Sequence, residues 1–136
     1  MILTPSDAQQ ILTDAFAQWV QDLNLTVASI DVSHCTLRMP LSDHLARHGG
    51  IVSGQALAAL ADTSAVLAAM GARGEFTPFA TTDLHTQFLR PGTGTAILSH
   101  AEVIRAGRAL TFVRVTQTSE DTGKPIATAT VTLMAP

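Results

Sequence analysis

Leu12, Phe16, Trp19, Val20 and Leu23 recur at spacings of three and four, which places them on one stripe of a helix. Ahead of them, Thr4 suits an N-cap, Pro5 the first helical position and Asp7 the acid of a capping box. The pattern predicts an amphipathic N-terminal helix, a lid on the rest of the molecule, running to about Leu23. From Thr26 the period changes to two: Ala28, Ile30 and Val32 share one face, and a second extended run over 35–39 ends at Pro40. Residues 42–52 carry Asp43, His44, Arg47, His48, Gly49 and Gly50, a loop composition.

Residues 53–70 read SGQALAALADTSAVLAAM, with high helix propensity, Ser53 as N-cap and Gly71 as C-cap. Nearly every face of this helix is apolar, so other structure must wrap it. Four extended segments follow, at 80–89, 95–105, 109–118 and 125–134. They are separated by turn residues at Pro91-Gly92-Thr93-Gly94, Gly107 and Asp121-Thr122-Gly123. Short connections between successive strands predict an antiparallel meander. The reading is an α+β chain of about six strands and two helices, with the apolar helix inserted after the second strand. No internal repeat or linker divides it, so residues 1–136 are expected to form one domain.

Hydrophobic residues make up 46% of the chain and charged residues 14%, apolar for a domain of 136 residues, so part of the apolar surface is expected between subunits. Eight Lys and Arg face eleven Asp and Glu, and Lys124 is the only lysine, which argues against nucleic acid as the main partner. No uninterrupted apolar run approaches the roughly 18 residues of a membrane span, and the start, MILTPSD, lacks a basic region before an apolar segment. A soluble, cytoplasmic protein without a membrane partner is the expectation. Cys35 stands alone, excluding an intrachain disulfide and a thiolate metal cluster, and its strand setting suits a buried structural thiol.

Candidate chemistry centres on Asp62. With Thr63 and Ser64 it is the only polar residue between Gln55 and Met70, and a carboxylate in so apolar a helix requires compensating hydrogen bonds or charge. Two readings stand: a satisfied structural acid, or a general base or nucleophile. Gly54 serves either to start the helix after a tight turn or to present an unpaired N–H to a substrate carbonyl. His34, His44, His48, His85 and His100 lack metal-ligand spacing, and no metal or cofactor is expected. Asp83 and Gln87 share a strand face with His85, where Asp83 either assists in a cleft or is solvated. Ser53 lacks the Gly-x-Ser-x-Gly context of an acyl-serine hydrolase and reads as a cap.

The arrangement GGIVSGQALAALADTSAVLAAM, then ATTDLHTQFLRPGTG and the turn around RAGRAL, resembles the acyl-CoA thioesterases of the hotdog superfamily, in particular the phenylacetate-degradation (PaaI-like) branch. The similarity covers about residues 43–134 and implies a hotdog fold, an antiparallel sheet of about six strands wrapped around the long helix. It implies hydrolysis of an acyl-CoA thioester by a homodimer or homotetramer without a cofactor. Asp62 matches the family's catalytic acid, supplied from the partner subunit as base or nucleophile, and Gly54 the glycine whose N–H polarises the carbonyl. Ser53 replaces the motif histidine, Gln55 its second glycine, and Arg47 falls on the asparagine of the preceding loop. Substrate contacts are expected from Arg47, Gly50, Ser53, Gln55, Thr63, Ser64, Asp83, Arg90, Arg105 and Arg108. The arginines are either phosphate ligands or ordinary surface residues. Two further readings stay open, a non-catalytic acyl-CoA binding module and a hydratase or dehydratase, the latter disfavoured by the absence of histidine on the helix.

Overall fold

A computed structural model describes residues 2–136. The first helix, α1 (Pro5–Ala15), opens with the predicted box: the Asp7 N–H donates to Thr4 Oγ1 at 3.1 Å and the Thr4 N–H to Asp7 Oδ2 at 2.9 Å. The helix does not continue to Leu23. Phe16 turns extended, and a short α2 (Gln18–Gln21) follows. The Gln21 side chain donates to the Leu12 and Phe16 carbonyls, satisfying the end of α1. The bend delivers Val20 and Leu23 to the core and leaves Trp19 exposed.

The two predicted strands, β1 (Thr26–Ile30) and β2 (His34–Pro40), pair as an antiparallel hairpin. The stretch read as a loop contains a 3₁₀ turn (Asp43–Leu45) and a two-stranded ribbon of β3 (Ala46–Arg47) and β4 (Ile51–Val52). After α3 (Gly54–Arg73) come β5 (Ala80–Phe88), β6 (Ala96–Ala106), β7 (Leu110–Ser119) and β8 (Pro125–Met134). Six strands make one antiparallel sheet in the order β1-β2-β6-β7-β8-β5, so the segment after the helix crosses to the far edge.

The long helix packs against the sheet. Leu60, Ala65, Leu67 and Ala68 have no exposed surface, nor do Leu37, Met39, Ile97, Val115 and Leu133 on the strands. Each large side chain so buried contributes about 1.5–3 kcal/mol. α3 is long and apolar enough to cross a membrane by composition, yet 67% of its most apolar window is buried within the fold. It also runs past its expected end. A Cβ on Gly71 would lie 2.6 Å from the Asp31 carbonyl, so glycine there serves a close crossing of helix over hairpin. The cap is Gly74, left-handed at φ 75°, whose N–H bonds the Met70 carbonyl at 2.9 Å.

The wrapping is incomplete. Gln55, Ala58, Ala59, Asp62 and Val66, at spacings of three and four, stay at least partly exposed along one side of α3. The edge strand β5 is likewise exposed along almost its whole length. The opposite edge, β1, is covered by α1: Gln9 accepts from the Val27 N–H and donates to the Leu25 carbonyl.

Candidate active site

Gly54 is the first residue of α3, so its N–H has no acceptor within the helix. Ser53 is the cap: its Oγ accepts from the Ala56 N–H at 3.2 Å, and its own N–H bonds the Leu45 carbonyl at 2.8 Å. With its hydroxyl committed to the helix, Ser53 fixes the direction in which the first turn points. That turn opens into a cleft of about 350 Å³ lined by Arg47, Ile51, Gly54, Leu57, Phe88 and Arg90, among others. The Phe88 ring lies over the glycine, where a Cβ would meet its Cζ at 3.3 Å. A carbonyl oxygen entering here meets the positive end of a helix between apolar walls.

Asp62 lies eight residues further on, about 12 Å along the axis at 1.5 Å per residue. It is half-buried on the open side of α3, and the Thr81 hydroxyl of β5 donates to its Oδ1 at 2.6 Å. Among the described residues no cation pairs with it. The compensation required of an acid in this helix is thus one short hydrogen bond plus partial solvent access, leaving oxygen lone pairs free to accept a proton. Within the chain, Asp62 and Gly54 do not meet.

Nothing in the local sequence marks Thr81 as the partner of Asp62. Alternation identifies a strand but not which strand residue faces which helix residue. The pairing of β5 with β8 supplies this: Thr81 opposes Leu133, Leu84 opposes Val131 and Thr86 opposes Ala129, all partners buried against α3. An irregularity between Thr81 and Asp83 resets the alternation. Asp83, His85 and Gln87 therefore oppose Thr132, Thr130 and Thr128 on the face turned away from the helix. Asp83 thus lies outside the cleft, on the solvated face of the strand.

Thr63 and Ser64 also fall outside the site. Both are buried, and their hydroxyls donate to the Ala59 and Leu60 carbonyls of their own helix at 2.8 and 2.7 Å. Ser64 further joins Ser99 and Gln117 in a buried network under α3. Arg47 and Arg90 flank the cleft; Arg47 donates to the His48 carbonyl and Arg90 to the Pro125 carbonyl. Gly50 lines a neighbouring depression with Ser42 and Thr93, and Gln55 faces Trp19 and His44 across the other side of the helix start. Arg105 and Arg108 belong to the β6–β7 hairpin at the far end of α3, where Arg73 donates to the Arg108 carbonyl. The fold brings neither to the Gly54 cleft.

The sequence model of a family described as the acyl-CoA thioesterase N-terminal domain matches residues 38–134. A curated relative from Thermoplasma acidophilum, provisionally named an esterase, is 29% identical over 98 residues, 71% of this chain and 73% of that protein. The crystal structure of zebrafish thioesterase superfamily member 2 superposes with a TM-score of 0.87 at 26% identity, covering 98% of this chain and 99% of the other. A thioesterase structure from Haemophilus influenzae shares the fold at TM-score 0.88 and 20% identity, over 100% and 92% of the two chains.

Proposed function

Because the chain belongs to the family of acyl-CoA thioesterase N-terminal domains, we propose that it hydrolyses an acyl-CoA thioester in a site completed by a second copy of itself. The observation that carries this reading is the position of both candidate groups along the open edge strand. Thr81, near the start of β5, holds Asp62, while Phe88, at its end, covers Gly54. Two β5 edges paired antiparallel about a twofold axis near Leu84 and His85 bring the start of one strand beside the end of the other. Asp62 of each chain then approaches the Gly54 cleft of its partner. The bare edge of β5 and the uncovered stripe of α3 support such pairing, since a long unprotected edge strand invites another strand.

In this arrangement the thioester oxygen accepts from the Gly54 N–H. Asp62 takes a proton from water as it attacks the carbonyl carbon, or attacks directly to form an anhydride that water then opens. The negative charge moves onto the oxygen held at the helix N-terminus, and the C–S bond breaks to release CoA thiolate. The Thr81 hydroxyl fixes the carboxylate against the strand. Arg47 and Arg90, flanking the cleft, suit the phosphates of CoA by their permanent charge and planar donor geometry. Release of free thiol from a panel of acyl-CoA esters, lost in Asp62→Ala, is the expected result. Binding across the panel without turnover would overturn hydrolysis in favour of a binding module.

A further inference from the structure

Ser29, Asp31 and His34 lie on the β1–β2 hairpin. Ser29 opposes Thr36, while Val27, Ile30, Cys35 and Leu37 turn into the core, so Ser29 faces away from α3. β1 and β5 are opposite edges of the sheet, and five interstrand steps of about 4.8 Å put roughly 24 Å between this hairpin and the Asp62–Thr81 pair. A dimer formed through β5 leaves the hairpin uncovered.

His34 bridges the other two residues through its two ring nitrogens. Nδ1 is 2.9 Å from Asp31 Oδ1, and Nε2 is 3.0 Å from Ser29 Oγ. Asp31 Oδ1 also accepts from the Ser33 N–H at 2.7 Å, the Ser33 hydroxyl at 2.8 Å and the His34 N–H at 3.0 Å. An ionised carboxylate only accepts, so the proton belongs on Nδ1; Nε2 is left as the acceptor and the Ser29 hydroxyl donates to it. The hairpin holds this geometry firmly. The Asp31 N–H bonds the His34 carbonyl at 2.9 Å, and the Asp31 carbonyl packs against Gly71 of α3. The His100 ring flanks His34 at 5.2 Å, itself fixed by Thr36 Oγ1 at 2.7 Å from its Nδ1. The side chains remain accessible, His34 at 24% and Asp31 at 50%.

From this arrangement we infer that Ser29 is a second nucleophile, independent of the thioesterase site, that takes acyl or phosphonyl groups from small activated esters with His34 as its base and Asp31 orienting the imidazole. The pattern is that of a nucleophile bonded to a base whose other nitrogen is held by a carboxylate. In the step, Ser29 Oγ bonds to the carbonyl carbon or phosphorus and its proton passes to His34 Nε2. An ester's alcohol leaves with that proton, and water then frees the acyl group from Ser29. A fluorophosphonate loses fluoride instead and stays attached.

The test is treatment of the intact protein with an alkyl fluorophosphonate, followed by mass spectrometry and peptide mapping. Expected is a single adduct on Ser29 that is absent from Ser29→Ala, while that variant still hydrolyses acyl-CoA as the wild type does. General-base assistance is worth about 10²–10⁴-fold, so His34→Gln, shown to be folded by its circular dichroism, should label about 100-fold more slowly. No adduct, an adduct on another residue, or labelling of His34→Gln within tenfold of the wild-type rate would overturn the inference.

Discussion

The Thr81 hydroxyl donates to Asp62 Oδ1 at 2.6 Å, tying an acid in the middle of the central helix to the open edge of the sheet. A hydrogen bond to a charged group contributes about 1.5–3 kcal/mol. If the carboxylate must be held in place to react, Thr81→Val should lower kcat for acyl-CoA by about ten- to a hundredfold with little change in KM. Thr81→Ser should restore most of it. Steady-state kinetics of the two variants checks this, and equal loss in both would rule out the hydroxyl as the positioning group.

Gly54→Ala separates stability from activity. Alanine is the better helix former, and the exposed Phe88 ring has room to shift for one methyl group, so the variant should fold and melt near the wild-type temperature. Its methyl group would sit 3.3 Å from the Phe88 ring, where in the proposed mechanism a thioester oxygen reaches the Gly54 N–H. The expected outcome is a folded protein with kcat/KM reduced by about 10²–10³, the usual loss for an impaired oxyanion donor. Full activity in Gly54→Ala would remove this N–H from the mechanism.

Leu84 lies at the middle of β5, on the helix-facing side and 38% exposed. Leu84→Lys places two like charges close together at the proposed twofold axis, where they repel. Light scattering should show a dimer for the wild type and a monomer for the variant at the same concentration, and thioesterase activity should fall with it. A fully active monomer would show that Asp62 and Gly54 need no second subunit.

Where a residue's job is set by its neighbours in sequence, the chain was readable. The Thr4–Asp7 box, the Ser53 cap and the extended segments of β6 to β8 depend on local spacing and stand where expected. Where the job is set across the fold, spacing was silent. Gly71 looked like a stop because glycine usually ends helices, yet its role is to admit the Asp31 carbonyl. Thr63 and Ser64 looked available beside Asp62, but the 100° turn per residue carries both into the core, bonded to their own helix. Thr81 and Asp83 differ only by the irregularity between them, which sends one to the helix and the other to the opposite face.

Asp31 gives a pH dependence of stability with a definite sign. Hydrogen bonds from the Ser33 backbone and side chain, with smaller help from His34, lower its pKa from 3.8 to about 2. A group whose folded pKa is depressed stabilises the fold above its unfolded pKa, and that contribution disappears as pH falls through the folded one. Wild type should therefore be more stable than Asp31→Asn at pH 6, and the gap should close between about pH 4 and pH 2. Urea denaturation of both proteins across that range measures it. A gap that stays constant with pH would assign the effect to the shape of the turn instead of its charge.

Gln117 is 2% exposed, and its side-chain amide donates to the Leu57 carbonyl at 2.9 Å and to Ser99 Oγ at 3.3 Å. The Ser64 proton goes to the Leu60 carbonyl, so Ser99 donates to Ser64 Oγ at 2.9 Å, and β6, β7 and α3 meet in one satisfied buried network. Leu57 lines the Gly54 cleft, and Gln117 therefore holds the helix turn that carries the cleft wall. Gln117→Leu nearly conserves volume but removes the donor, leaving Ser99 short of one partner and the Leu57 carbonyl short of a second. A buried polar group left unpaired costs about 1–3 kcal/mol, and the melting temperature should fall accordingly. Double replacement with Ser99→Ala deletes the hydroxyl that lost its bond and should recover part of the loss. Recovery of at least about 0.5 kcal/mol beyond the sum of the single effects would mark the two residues as one coupled unit, whereas strict additivity would mean the network contributes no more than its separate bonds.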